Sequence, residues 1–440
     1  MTLRIACLLL CGAVLAGCSG GWFGGGEDDA PLPGERVAIM TFGRSLEPDP
    51  RIADLEVRLP APRVNKSWSQ AGGEPGHAMH HLSLEDKPRE AWRAGVGRGS
   101  DSSRWILAQP LVVEDRVYAM DSEAQITAFG AEDGDRIWQV DLDLDEESGD
   151  YFGGGIAYEA GRIYVTTGFG TVFALNAETG ETIWSQPLTA PLRAAPTVSG
   201  GRVFAVTLDN QAFALAADDG RRLWNHSGIE EAASLLGAAS VAVSGSAVVV
   251  PYSSGEIFSL LVENGRVLWS DALSAVNRVD PIADLAHIRG LPVIDRGAVM
   301  AISHSGRMVA VDLRRGARAW DIELGGVQMP WVAGEFVYLV TNEAEVVCLT
   351  RRDGRIRWVQ TLPHYKSPEN QTDPIQWFGP VLAGDRLILA GSNAVAVSIS
   401  PYTGEILGEQ DLPGAAAVSP VVAGDTLYFL TNNATLLALR

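Results

Sequence analysis

A short segment, ALNAETGETIW at residues 174–184, recurs in altered form along most of this chain and constrains its fold more than any other feature. Five near-copies of this segment end at Trp138, Trp224, Trp269, Trp320 and Trp358. Successive tryptophans are separated by about 38 to 51 residues, which is typical of propeller blades and not of helical repeats of fixed length. The recurrence therefore predicts a repeat architecture.

Each repeat has the local chemistry of antiparallel strands. In residues 161–184, two short runs rich in Val, Ile, Tyr, Phe and Thr are bounded by glycine, as in β-hairpins. A glycine that precedes the last run of each unit supplies the positive φ of a tight turn. These turn glycines are Gly134, Gly180, Gly220, Gly265, Gly316 and Gly354.

The numbers of opening and closing strands define the topology. Triplets of strands begin near Pro110, Gly154, Ala195, Gly237, Gly290, Met329, Gly379 and Ser419. Closing strands end near Trp92, Trp138, Trp184, Trp224, Trp269, Trp320, Trp358 and Gly408. The two series are offset by one, because a lone closing strand at 90–96 comes first and a triplet at 419–440 comes last. We therefore predict an all-β fold: an eight-bladed β-propeller with four-stranded antiparallel blades, whose last blade is closed by the N-terminal strand.

The N-terminus has the features of an exported lipoprotein. Residues 1–17 contain one arginine, a short apolar stretch and small residues, which is typical of a signal peptide. The sequence LAGC then marks Cys18 as the lipidated residue, and Ser19 after it resembles lipoproteins of the outer membrane. We expect a flexible tether over 18–35, an irregular arm over 36–89 that lies across the ring, and the propeller over 90–440.

Charge and cysteine content limit the partners. The formal net charge of −20 argues against nucleic acid and against an anionic membrane surface, so membrane attachment is expected only through the lipid. Beyond the signal peptide and Cys18 the only cysteine is Cys348, in an apolar strand where it is expected to be a buried free thiol.

Candidate chemical sites are weak. His77, His80 and His81 have spacing that could bind a metal, but no Glu or Cys accompanies them and we interpret them as an ordinary loop. The acidic run 141–150 begins like a calcium loop but lacks its glycine and its final glutamate. We predict no catalytic residue, no metal and no cofactor, and we assign the recurring tryptophans to packing between blades. Gly408, which replaces one of them, predicts a looser junction.

The repeated line resembles the repeat of pyrroloquinoline-quinone (PQQ) dehydrogenases and their non-enzymatic relatives. A lipobox followed by an eight-bladed ring is similar, among these, to the BamB family of the outer-membrane β-barrel assembly (BAM) machinery. The resemblance implies a lipid-anchored scaffold that faces the periplasm and contacts BamA periplasmic domains, other BAM subunits and unfolded outer-membrane proteins. The alternative is a PQQ-binding quinoprotein dehydrogenase, or a non-catalytic relative in another envelope complex. An enzyme of that family commonly has adjacent cysteines over the quinone, which this chain lacks.

The same resemblance implies a partner surface on two neighbouring loops. In the family, a leucine-containing loop and an acid-containing loop meet BamA, and here they correspond to residues 230–240 and 277–292. The matching positions are Leu235, Leu236, Arg278, Asp280 and Asp284. This chain has Gly237 where the family has an arginine, and the acids are spaced differently. The alternative interpretation of the two leucines is that they are core residues near a strand start.

Overall fold

A computed structural model describes residues 46–142, 153–231, 235–274 and 286–440. In these ranges the chain forms 34 strands and one short 3-10 helix, Pro50–Ile52. The all-β prediction is therefore confirmed. No helix in this part of the chain has the length and apolar character needed to cross a membrane.

Strand β1 (Glu90–Gly95) precedes the first complete blade. Blade 1 contains β2 (Leu111–Val113), β3 (Arg116–Met120), β4 (Ile126–Gly130) and β5 (Arg136–Val140). Blade 2 contains β6 (Gly154–Glu159), β7 (Arg162–Thr167), β8 (Thr171–Asn176) and β9 (Thr182–Pro187). Blade 3 contains β10 (Thr197–Ser199), β11 (Arg202–Val206), β12 (Gln211–Ala216) and β13 (Arg222–Ser227). Blade 4 contains β14 (Ala242–Ser244), β15 (Ala247–Pro251), β16 (Glu256–Leu261) and β17 (Val267–Ala272).

Blade 5 contains β18 (Val293–Asp295), β19 (Ala298–Ile302), β20 (Met308–Asp312) and β21 (Arg318–Ile322). Blade 6 contains β22 (Trp331–Ala333), β23 (Phe336–Val340), β24 (Glu345–Thr350) and β25 (Ile356–Thr361). A two-stranded hairpin, β26 (Tyr365–Ser367) and β27 (Thr372–Pro374), precedes blade 7. Blade 7 contains β28 (Trp377–Ala383), β29 (Arg386–Gly391), β30 (Val395–Ile399) and β31 (Ile406–Asp411). Blade 8 ends the chain with β32 (Val421–Ala423), β33 (Thr426–Leu430) and β34 (Thr435–Leu439).

The last blade is completed by the first strand, as the offset count predicts. Its strand order is β1-β34-β33-β32, and β1 pairs antiparallel with β34, with Trp92 opposite Ala438. At the chain end, the backbone N–H groups of Arg89 and Arg440 each donate to the other's carbonyl, at 2.5 and 2.8 Å. The eight-bladed ring is therefore closed by hydrogen bonds between the two ends of the propeller.

Within each blade the outer strand is the most exposed. In blade 4 the second strand, β15, is buried along its whole length, whereas the outer strand, β17, exposes every residue but Trp269 and one half-buried aspartate. Strands packed on both faces read as continuous apolar runs, and strands with one solvated face alternate. The apolar content of the inner strands and the tryptophan of each outer strand thus place the core between neighbouring blades.

The recurring tryptophans form those blade junctions, which confirms their predicted role in packing. Each lies third in its closing strand, and its indole N–H donates to a carbonyl of the next blade at 2.7 to 3.2 Å. Each ring also packs on the turn glycine of that next blade. A Cβ added at Gly220, for example, would lie 2.6 Å from the Trp184 ring. The tryptophan of one blade and the turn glycine of the next therefore contact each other at each of these junctions.

The junction at Gly408 is looser than the others, as predicted. All six residues of β31 are exposed, and a Cβ added at Gly408 would meet nothing within 4 Å. The reason is the closure of the ring: the third and fourth strands of blade 8 come from opposite chain ends, so no turn glycine exists there. A tryptophan at position 408 would have no turn to pack against.

Residues 65–82 of the N-terminal arm run around the ring axis and bond to all eight blades in succession. Seven of the contacts are hydrogen bonds to a backbone N–H or C=O group at equivalent positions of the innermost strands, namely Val112, Tyr158, Val198, Val243, Ile294, Leu382 and Val422. The eighth is the bond from the Trp331 indole to the His80 carbonyl, at 2.7 Å. The innermost strands have no further strand on their axial side, and these bonds satisfy peptide groups there. The segment also covers one end of the axial channel.

Candidate functional site: the axial cavities

The axial channel contains a small inner cavity of about 120 Å³. Its floor includes Trp68 of the arm and Trp331 of blade 6, whose rings stack with centroids 6.4 Å apart. Its wall is built from residues that lead into the innermost strands of seven blades, among them Gln109, Ser240 and Phe378. The arm covers the end of the channel at which residues 65–82 bond to the innermost strands. The cavity therefore opens at the other end, toward the loops that connect successive blades.

These loops surround a wider cavity of about 600 Å³, which we call the mouth. The mouth and the inner cavity share lining residues, namely Leu107, Arg289, Val327, Gln328, Phe378 and Ala417. Much of the mouth is apolar, with Trp105, Leu235, Leu236 and Trp377 in its wall. The two cavities are therefore consecutive parts of one channel that leads from the loop face to the tryptophan floor.

The charged side chains that line the two cavities are basic. Arg193 and Arg289 line the inner cavity, and no Asp or Glu lines either cavity within the described residues. The Arg289 guanidinium lies against Gly237, where an added Cβ would be 3.1 Å from its Nε. Burial lowers the pKa of Arg289. The charged side chains of the described lining therefore give the channel a positive character near its axis.

A buried histidine holds the leucine-containing loop. The backbone N–H of Leu235 donates to Nδ1 of His287 at 3.0 Å, and the Leu235 carbonyl accepts a long bond from Arg193 at 3.5 Å. Burial, helped by the positive charges of Arg289 and Arg193, lowers the pKa of His287 to about 4. The ring is therefore neutral at pH 7, and its Nδ1 is free to accept the loop's hydrogen bond.

The structure places part of the predicted partner surface. Leu235 and Leu236 are half-buried and line the mouth. Arg278, Asp280 and Asp284, and the lipidation candidate Cys18, lie outside the described residues. Sequence reasoning missed Arg289, because an arginine in the loop before a strand has no recognisable spacing. Its position at the axis follows from the ring closing around it.

The arm histidines do not converge on a metal. No group of three or more His, Cys, Asp or Glu side chains suited to a metal ion occurs in the described ranges. Nδ1 of His77 bonds to the Pro292 carbonyl at 2.7 Å, and Nδ1 of His81 bonds to the Pro60 carbonyl at 2.8 Å. Burial lowers the pKa of His77 to about 4. His77 and His81 therefore each anchor the arm at a different place.

Comparison with known proteins identifies the family. The sequence matches the family described as outer membrane protein assembly factor BamB over residues 86–150 and 122–360. It is 31% identical over 358 residues to BamB of Salmonella typhimurium, covering 80% of this chain and 88% of that protein. The chain belongs to the BamB family. BamB of Escherichia coli is 32% identical over 346 residues, which cover 77% of this chain and 85% of that BamB.

Solved structures support the fold. BamB from Moraxella catarrhalis matches with a TM-score of 0.69 at 19% identity, covering 80% of this chain and all of that one. A quinohemoprotein alcohol dehydrogenase from Comamonas testosteroni matches with a TM-score of 0.65 at 13% identity, covering 85% of this chain and 80% of that one. At these identities the likeness shows the shared propeller and nothing about activity.

The described residues of the axial cavities do not fit the calcium ion of such dehydrogenases. Calcium requires six to eight oxygen ligands, several of them carboxylates. The described lining of this BamB-family channel contains no carboxylate, and Arg193 and Arg289 would repel a cation. The tryptophan floor alone does not make a quinone site.

Proposed function

We propose that this protein is a non-enzymatic scaffold in the assembly of β-barrel proteins into the outer membrane, anchored by lipid at Cys18 and facing the periplasm. The observation that supports it is the similarity to BamB proteins, which spans most of the ring and most of each relative. The described lining of the axial cavities contains arginines and no carboxylate, which differs from the oxygen-rich ligand set of a calcium-dependent dehydrogenase. The scaffold acts by position: a closed ring holds its connecting loops in fixed places for a partner.

We assign the partner surface to the loops of blades 4 and 5 at the mouth. Leu235 and Leu236 offer two half-buried apolar side chains there. Arg278, Asp280 and Asp284 belong to the next loop in sequence and complete the proposed surface with charge. Apolar anchors surrounded by polar groups are the usual composition of a small binding hot spot, and a periplasmic domain of BamA is the partner implied by the family.

Replacing both Leu235 and Leu236 with Ala should weaken co-purification with BamA at least about tenfold, because truncating anchor residues of a hot spot typically costs 2 kcal/mol or more. Asp280→Ala together with Asp284→Ala should weaken it as well. The measurement is the amount of BamA recovered with each variant from detergent-solubilised membranes, normalised to the variant itself.

A matched control removes two exposed aliphatic side chains elsewhere. Val267 and Leu268 on the outer strand of blade 4 are 45% and 40% exposed, and their double Ala variant should retain BamA. Full recovery of BamA by both the leucine and the aspartate variants would contradict the assigned surface. Unfolding of the leucine variant would favour the interpretation of these residues as core.

The lipid anchor has its own test. Cys18→Ala should release the protein from membranes, because the formal net charge of −20 disfavours adsorption to an anionic surface and the lipid is the proposed attachment. Membrane fractionation after labelling with a fatty acid measures both lipidation and release. A Cys18→Ala protein that still sediments with outer membranes after a salt wash would show that attachment does not depend on this cysteine.

A further inference from the structure

The side chain of Arg289 lies where the inner cavity meets the mouth, since it lines both. The structure gives its guanidinium no hydrogen bond and no ion pair within the described residues. An arginine remains charged in a protein, and the half-buried side chain of Arg289 presents that charge to the channel. A charged group that has no protein partner and faces an open channel points to a ligand that supplies the opposite charge.

The surroundings of Arg289 also favour an anion. Arg193 contributes a second cationic side chain to the same wall. Gln328 lines both cavities with Arg289, and its Oε1 accepts a long bond from the Ser419 hydroxyl at 3.5 Å. This bond directs the amide Nε2 of Gln328 away from Ser419. A guanidinium and an amide N–H₂ group are therefore available to one anion at the boundary of the two cavities.

The rest of the channel is built for an apolar body. The inner cavity beyond Arg289 is lined by Leu291, Met329, Phe378 and the Trp68 and Trp331 rings. Its volume of about 120 Å³ is a little smaller than the roughly 150 Å³ of a protein cavity known to hold benzene. It can therefore accommodate one medium-sized aliphatic side chain, whereas the mouth, at about 600 Å³, has room for several residues.

We propose that the axial channel binds the C-terminal carboxylate of a polypeptide, with Arg289 and Gln328 contacting the carboxylate and the inner cavity receiving the last side chain. The planar guanidinium matches a carboxylate with two parallel hydrogen bonds. The residues before the terminus then extend through the apolar mouth. The choice of a polypeptide over a free carboxylic acid rests on the proposed scaffold function, whereas the anion site rests on the cavity alone.

The test is a binding titration with the full mature protein, followed by fluorescence anisotropy. The probe is a tetrapeptide ending in leucine, labelled at its N-terminus and made with either a free C-terminal carboxylate or a C-terminal amide. We expect the acid to bind at least about tenfold more tightly than the amide, because charge-assisted hydrogen bonds are lost in the amide. Arg289→Gln should weaken binding of the acid by a similar factor.

Arg266→Gln is the matched control, since Arg266 is exposed on the turn before β17 and its loss removes the same charge. It should leave peptide affinity unchanged. The melting temperature separates a ligand contact from a structural role: Arg289→Gln should melt no lower than the parent protein, because the substitution removes no hydrogen bond and no ion pair of the described residues. A large loss of stability in Arg289→Gln would instead indicate a structural arginine and overturn the assignment.

Equal binding of acid and amide, or unchanged affinity in Arg289→Gln, would overturn the anion site, as would the absence of binding by either peptide. Competition by 4-methylpentanoate as strong as that of the unlabelled peptide acid would overturn the polypeptide assignment, because it carries the same carboxylate and side chain without a chain. BamA is absent from this titration. A failure of the peptide to bind would therefore not contradict the scaffold proposal. Likewise, loss of BamA from the leucine variant would not contradict the carboxylate site.

Discussion

At the scale of single residues, the ring depends on pairs formed by a tryptophan and a glycine of neighbouring blades. Trp184 of blade 2 donates its indole N–H to the Ala217 carbonyl at 3.0 Å and covers Gly220 of blade 3. The same carbonyl also accepts from the Tyr164 hydroxyl at 3.2 Å. Gly220 has a φ of +72°. Glycine is thus required there twice, by the backbone conformation and by the indole ring above it.

Two glycine variants separate these requirements. Gly200 also has a positive φ, +59°, but an added Cβ would meet nothing within 4 Å. Gly200→Ala should therefore cost about 1 kcal/mol from backbone strain alone. Gly220→Ala should cost roughly 1 to 3 kcal/mol more, because its Cβ overpacks against Trp184. Thermal melting of both variants measures the difference, and equal melting temperatures would show that the indole contact contributes nothing.

At the scale of elements, β1 and β34 decide whether the ring is closed. β34 lies between β1 and β33, and its residues from Leu436 to Leu439 are buried. Trp92 on β1 bonds to the Ala131 carbonyl of blade 1 at 3.0 Å and packs against Tyr428, with ring centroids 5.9 Å apart. One strand pairing and one tryptophan therefore join the beginning and the end of the propeller.

Trp92→Ala should lower the stability of the ring by about 3 to 5 kcal/mol, the usual cost of truncating a large buried aromatic side chain. Truncation of the chain before Leu436 should destabilise it at least as much, because it removes the strand to which β1 pairs. Differential scanning calorimetry measures both effects.

Deletion of residues 19–35 is the control, since these residues are predicted to be a tether and should not affect the melting temperature. If the two closure variants melted at the temperature of the parent protein, the pairing of the chain ends would not contribute to stability.

At the scale of the whole molecule, the arm and the ring together define the channel. Residues 65–82 contact every blade, so the segment connects eight sheets that otherwise meet mainly their neighbours. The buried side chain of Gln70 shows how: its Oε1 accepts from the Val198 N–H at 2.9 Å, and its Nε2 donates to the Val198 carbonyl at 3.4 Å. An amide side chain there satisfies both backbone groups of one inner-strand residue. The channel consequently opens on the loop face alone, where the proposed partner and ligand sites lie.

The fold could be predicted from the repeat pattern alone. Glycine, tryptophan and apolar runs recur at the spacing of propeller blades. The offset between the two strand counts required the two ends of the propeller to pair. The repeat pattern also predicted the weak junction at Gly408, because the missing indole is visible in the repeat. These inferences succeeded because they rest on local patterns, and each blade repeats the same local solution.

The residues that lie on the axis could not be predicted in this way. The arm does not repeat, so neither its path past Val112, Val198 and Ile294 nor the separate roles of its histidines could be obtained from periodicity. Arg289 became a candidate anion contact only when the closed ring brought the walls of seven blades around it, with no carboxylate among the described lining residues. Periodic patterns report which residues a strand buries, whereas the composition of a cavity depends on distant segments that meet only after the ring has closed.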